Sequence, residues 1–124
     1  MTLSDLSRQR LATCHPDLVR IVTIASARFP FEVLCGHRNE ADQEAACAAG
    51  RSHEHWPNSR HNSDPAEAVD LAPLPIDWEN TARFTALAVV MKQSAEDLGL
   101  EIVWGGEWVT FKDLPHYELP KKGP

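Results

Sequence analysis

Fifteen consecutive residues near the middle of the chain, RSHEHWPNSRHNSDP from Arg51 to Pro65, show no hydrophobic period. No other feature limits the fold more. The stretch is polar and holds Pro57 and Pro65, so it reads as loop rather than helix or central strand. A loop of this length is uncommon inside a small domain unless it carries function. At 124 residues the chain has room for one core, read as a single domain over 1–124.

The flanks of that loop are patterned. Leu18, Ile21, Val22, Ile24, Ala25 and Phe29 recur at helical spacing; Pro16-Asp17 suits the first turn and Pro30 stops the helix. Phe31–Cys35 reads as a strand ended by Gly36. Asn39 is an N-cap for a helix over Glu40–Ala49, closed by Gly50. Beyond the loop, Ala68–Ala72 is a short strand cut off by Pro73 and Pro75. Phe84, Leu87, Ala88, Met91, Ala95 and Leu98 form the apolar stripe of a helix ending at Gly99. Glu101–Trp104 is a third strand, Gly105-Gly106 a turn, Asp113-Leu114-Pro115 a bend and His116–Leu119 a last strand. This order predicts an α+β fold with a small, mostly antiparallel sheet flanked by helices.

Composition removes several classes of function. The formal charge is −6 and the basic residues are scattered, whereas a nucleic-acid binder concentrates them on one face. A run of about eighteen apolar residues is missing, so neither a membrane span nor a stable membrane association is expected. The opening MTLSDLSRQRLATCHPDL lacks the basic and apolar regions of a secretory signal, and synthesis in the cytoplasm is expected. Cys14, Cys35 and Cys47 form no CxxC pair and read as reduced packing residues.

Three segments place metal-competent side chains at polar, Gly- or Pro-bounded positions: Ser59-Arg60-His61 with Asp70 after it, Asp113-x-x-His116, and Gly36-His37-Arg38. A hydrolytic zinc site takes three protein ligands and keeps a fourth position for water. Two neutral imidazoles and one carboxylate leave the ion positive enough to acidify that water. His61, Asp70 and His116 meet this stoichiometry. A separate carboxylate must move the proton, and Asp113 is placed for it. Arg38 is a candidate for stabilising the oxyanion. Spacing alone leaves other readings open, because six histidines offer several trios. Asp113 also suits a turn cap, and Arg38 a surface ion pair. His53 and His55 would chelate together if they lay in a strand, although a solvated loop is the expectation. His15 and His37 read as structural. Trp104 and Trp108 divide evenly between core and cleft wall, and Ser59 between substrate and backbone.

SRHNSDPAEAVDLAP and WGGEWVTFKDLPHYEL resemble the two signature segments of the zinc peptidases that include D-Ala-D-Ala carboxypeptidases, dipeptidases and phage L-alanyl-D-glutamate endopeptidases. The first motif, S-x-H followed by A-x-D, is matched by Ser59, His61, Ala68 and Asp70, with the longer spacing of the endopeptidase branch. The second, a carboxylate-x-x-His after a Trp-rich turn, is matched by Trp104, Gly105, Gly106, Trp108, Asp113 and His116. Upstream, CGHRNEADQEAACAAGRS resembles the family segment that supplies Arg38 and Gln43. The likeness covers roughly residues 31–119. It implies one zinc ion on His61, Asp70 and His116, catalysis by Asp113 with Arg38, and substrate contacts from Ser59, Gln43, Trp104, Trp108 and His37. It also implies a peptidoglycan stem peptide as partner, cut at the L-Ala–D-Glu bond by a monomeric phage or prophage endolysin. The alternatives are a D-Ala-D-Ala carboxypeptidase or dipeptidase, and a non-catalytic zinc-binding module. A separate cell-wall-binding domain is not expected. Action in the periplasm after release through a holin-type pore is.

Overall fold

Polar caps and prolines set the helix ends. The computed structural model describes residues 3–121. Helix α1 (Asp5–Leu11) starts at Ser4, whose Oγ accepts the Ser7 N–H at 3.1 Å. Helix α2 (Pro16–Ser26) has proline in its first turn, and the His15 ring Nδ1 accepts the Asp17 N–H at 3.0 Å. His15 is therefore a cap, as its structural reading requires. Asn39 caps α3 (Glu40–Ala48) by accepting the Asp42 N–H at 2.8 Å. The longest helix, α4 (Thr81–Asp97), begins ahead of its apolar stripe because the Asn80 side chain caps it from outside.

Helix α1 has no counterpart in the sequence reading. Only Ser7 and Leu11 are buried in it, so there is no apolar period to detect. Tertiary bonds hold it instead: Ser7 Oγ accepts the Val33 N–H at 2.8 Å and donates to Glu32.

Four strands, β1 (Phe31–Cys35), β2 (Ala68–Pro73), β3 (Val103–Trp104) and β4 (His116–Glu118), form one sheet in the order β1-β2-β4-β3, with every pairing antiparallel. The α+β expectation holds. The third strand is shorter than expected, because Glu101 and Ile102 stay outside the ladder. Val33, Val69, Leu71 and Tyr117 turn to one face and meet Leu18, Ile21 and Val22 of α2 and Leu87 and Met91 of α4, all of them fully buried. Asp70 and His116 are register partners and therefore share the opposite face. The sheet separates an apolar core from a polar cleft, and the period of two decides which residue serves which.

The long loop stays irregular apart from a single 3₁₀ turn at Arg60–Asn62. Among the described residues, no helix is long and apolar enough to cross a membrane.

Candidate metal centre

Asp70 sits at the middle of the polar face. Its Oδ1 lies 3.2 Å from His61 Nε2 and 3.2 Å from His116 Nδ1. His61 comes from the 3₁₀ turn, where Ser59 accepts the His61 N–H at 3.2 Å and forms a reciprocal capping box with Asn62. Ser59 thus serves the backbone while also lining the cleft. His116 comes from β4, directly across the ladder from Asp70. The two rings meet edge to face, with centroids 5.2 Å apart.

The outer nitrogens of both rings are already committed. His61 Nδ1 faces the Gly36 carbonyl at 2.7 Å, and a carbonyl only accepts, so this nitrogen carries the proton. His116 Nε2 faces the Glu118 carboxylate at 2.8 Å in the same way. Each neutral ring must then present its lone pair at the nitrogen that faces Asp70. Two lone pairs and a carboxylate oxygen converge on one point, which only a cation can reconcile. Donors held about 2.0–2.1 Å from one tetrahedral zinc stand roughly 3.3–3.4 Å apart, close to the separations from Asp70. The donor set fits such an ion.

The electrostatics agree. Burial works against a charge on His61, but the Asp70 carboxylate outweighs it and lifts the ring to about 10. Burial likewise opposes a charge on Asp70, yet His61 beside it holds the carboxyl far below the usual carboxylate range. His116 is also raised; its bonds to Asp70 and Glu118 overcome the cost of burial.

Asp113 approaches from the bend before β4, its Oδ2 4.0 Å from His116 Nδ1. The bend is pinned by Gly105, whose carbonyl accepts the Asp113 N–H at 3.0 Å. A Cβ on Gly105 would stand 2.4 Å from the Asp113 carbonyl, so only glycine permits this approach. Burial first, and the nearby Asp70 charge second, push the Asp113 carboxyl above its ordinary value. Arg38 donates to Asp70 Oδ2 at 3.2 Å and to Gln43 Oε1 at 3.2 Å, so its guanidinium backs the carboxylate while lining the cleft.

The family model described as phage L-alanyl-D-glutamate peptidase matches residues 1–119. The chain belongs to that family. It is similar to the L-alanyl-D-glutamate peptidase of Escherichia phage T5, at 29% identity over 121 residues, covering 93% of this chain and 86% of that protein. It is also similar to the crystal structure of the Serratia marcescens L-Ala D-Glu endopeptidase ChiX. That match has a TM-score of 0.82 and 34% identity, and it covers 96% of this chain and 90% of the other.

Within this L-alanyl-D-glutamate peptidase fold, the remaining expected residues divide between cleft and support. Trp108 stands over His116, with ring centroids 5.0 Å apart, and lines the cleft. His37 lines its other end, near Cys35 and Asp70. Trp104 packs against the core and donates its indole N–H to the Leu114 carbonyl at 2.7 Å. Gln43, expected at the substrate, is fully buried instead, its amide spent on Arg38, Asn62, Ser52 and the Glu54 carbonyl. It acts on the cleft only through Arg38. His53 and His55 do not converge: His53 stacks on Phe111 at 3.9 Å, and His55 pairs with Glu44 at 2.8 Å.

Glu118 bonds His116 and lines the cleft, yet the sequence reading did not single it out. Burial raises its carboxyl, but the His116 bond outweighs this and keeps it below the ordinary value. Its signal was present, since positions i and i+2 of a strand share a face and place it beside His116.

Proposed function

We propose that the chain hydrolyses the L-alanyl–D-glutamate amide of peptidoglycan stem peptides with one zinc ion on His61, Asp70 and His116. The observation that carries this reading is the convergence of His61 Nε2 and His116 Nδ1 on a single oxygen of Asp70, each at 3.2 Å. When bound, a divalent ion there supplies Lewis acidity, polarising a carbonyl and lowering the pKa of a water.

The chain's own residues do the rest. Asp113, with its raised pKa, takes the proton of the attacking water and delivers it to the leaving nitrogen. Arg38 holds Asp70 in place and offers its remaining N–H groups to the oxygen that gains negative charge. Trp108 walls the cleft, while Arg51 and Lys121 on its rim suit the carboxylates of an acidic stem peptide. The free carboxylate of Asp113 favours an enzyme over a non-catalytic zinc module, which has no need of one.

Digestion of purified muropeptides, followed by mass spectrometry, tests the reading. Loss of the L-Ala–D-Glu bond, stopped by a chelator and restored by zinc, is the expected result. Release of terminal D-alanine would make the protein a carboxypeptidase instead, and cleavage indifferent to chelation would remove the metal from the mechanism.

A further inference from the structure

The ladder between β1 and β2 pairs Val33 with Leu71 but Cys35 with Asp70, and its register shifts between these two pairs. Without that shift, Cys35 would follow Val33 into the core, since alternate residues of a strand share a face. The irregularity at Leu34 re-aims it, as bulges beside functional sites do. Cys35 therefore lies on the cleft face, opposite Asp70, which is itself opposite His116. Among the described residues, Cys35, His61 and Asp70 form a group whose ligating atoms all lie within 4.8 Å of one another, and His116 joins that group through Asp70, its Nδ1 3.2 Å from Asp70 Oδ1. The half-buried Cys35 thiol lines the cleft at this point and meets the Gly36 carbonyl at 3.6 Å, the same carbonyl that His61 Nδ1 faces.

We infer that Cys35 Sγ is a fourth protein donor to the ion on His61, Asp70 and His116, closing the site while the cleft is empty and yielding to substrate. The inference rests on the metal reading above. Four protein donors make a closed zinc site, and three make an open one. A thiol that binds in one state and leaves in the other moves a single site between these two forms. Donors on one tetrahedral ion stand roughly 3.3–3.8 Å apart, a range that a thiol within 4.8 Å of the His61 and Asp70 donors can reach by side-chain adjustment. On binding, the S–H bond is replaced by a sulfur–metal bond, and the proton leaves to solvent. The other thiols are placed elsewhere. Cys14 is buried against the Arg10 and Ala68 carbonyls, with burial pushing it up to about 12, and Cys47 sits at the Glu54 carbonyl.

Cobalt(II) loaded into the full chain supplies a readout independent of activity. The wild type and a Cys47→Ser control should show a near-ultraviolet thiolate-to-cobalt charge-transfer band. Cys35→Ser and Cys35→Ala should lose that band while keeping the visible d–d bands of a folded site. Chelator competition should show both Cys35 variants holding cobalt at least about tenfold more weakly, the scale known for lost outer-shell partners. Adding a stem-peptide fragment should bleach the wild-type band. Cobalt bound without the band, or Cys35 variants of unchanged affinity, would overturn the assignment of Cys35 alone. A band that persists under saturating peptide would overturn the exchange. A wild-type chain that takes up no cobalt would bring down the metal reading as well.

Discussion

The two walls of the cleft are built differently. On the sheet side, Asp70, His116 and Glu118 are locked by the ladder, each side chain bonded to a neighbour and little exposed. On the loop side, His53, Thr110 and Phe111 are open to solvent, Phe111 at 37%. Metal chemistry tolerates errors of only tenths of an ångström, and a sheet backed by a close-packed core supplies that stiffness. Recognition of a flexible peptide needs adaptable contacts, which loops provide. The division predicts that substitutions on the sheet side, and at His61 and Asp113 where they close on it, cost metal or turnover, and that substitutions at the solvent-open residues of the loop side cost only substrate affinity.

The largest effect should come from the ligands. His61→Ala or His116→Ala is expected to abolish stoichiometric metal binding and reduce cleavage to background, by metal analysis and muropeptide assay. Asp113→Asn should break the chemistry without breaking the site. It is expected to keep its metal while turnover falls by about 10²–10⁴-fold, the usual worth of one positioned acid/base. An Asp113→Asn enzyme with normal turnover would return Asp113 to the role of a turn cap.

Most of the fold was legible because it rests on local signals. The Phe31–Cys35 strand has the expected bounds, and the helix after Asn39 begins where its cap places it. The three side chains that meet at Asp70 were legible too, since His61, Asp70 and His116 fall in two signature segments on either side of α4. What stayed hidden depends on contacts far apart in sequence. Nothing local in FEVLC announces the shift that turns Cys35 toward Asp70, because the pairing partner lies on the far side of the long loop. Gln43 was assigned to substrate by the family resemblance alone, and only tertiary packing shows its amide enclosed.

On the proposed metal reading, the ion and the protons compete for the same nitrogens, and the sign of that competition can be checked. His61 is raised to about 10 in the folded chain, so in the metal-free protein its interaction with Asp70 contributes full stability below the unfolded histidine value. That contribution fades as the pH rises through the folded value. Asp70, depressed by the same interaction, contributes above the unfolded carboxylate value and loses this as the pH falls. Metal binding must expel the proton between them, so each pH unit below about 10 costs the metal about 1.4 kcal/mol per proton displaced. The rise in Tm on adding zinc is therefore expected to grow from pH 6 to pH 9. A rise that is flat or shrinking over that range would mean that the ion does not displace the His61 proton.

A smaller loss is expected at Glu118, which touches the metal only through His116. Glu118→Gln keeps an acceptor but removes the charge, and outer-shell partners of this kind are worth roughly 10–100-fold in metal affinity or activity. The smallest effects belong to the loop wall and the exposed surface beside it. Val109→Ser removes an exposed side chain that belongs to no part of the core. Its unfolding free energy should stay within about 0.5 kcal/mol of the wild type, as for ordinary surface positions. Phe111→Ala should add a modest rise in KM, because it removes the ring that meets His53 at 3.9 Å and lines the cleft on both sides of Asp113. Metal content and kcat should not move in either variant. A loss of metal from Phe111→Ala would show that the loop wall helps to hold the ion, and the contrast between a rigid chemical wall and an adaptable binding wall would fail at that point.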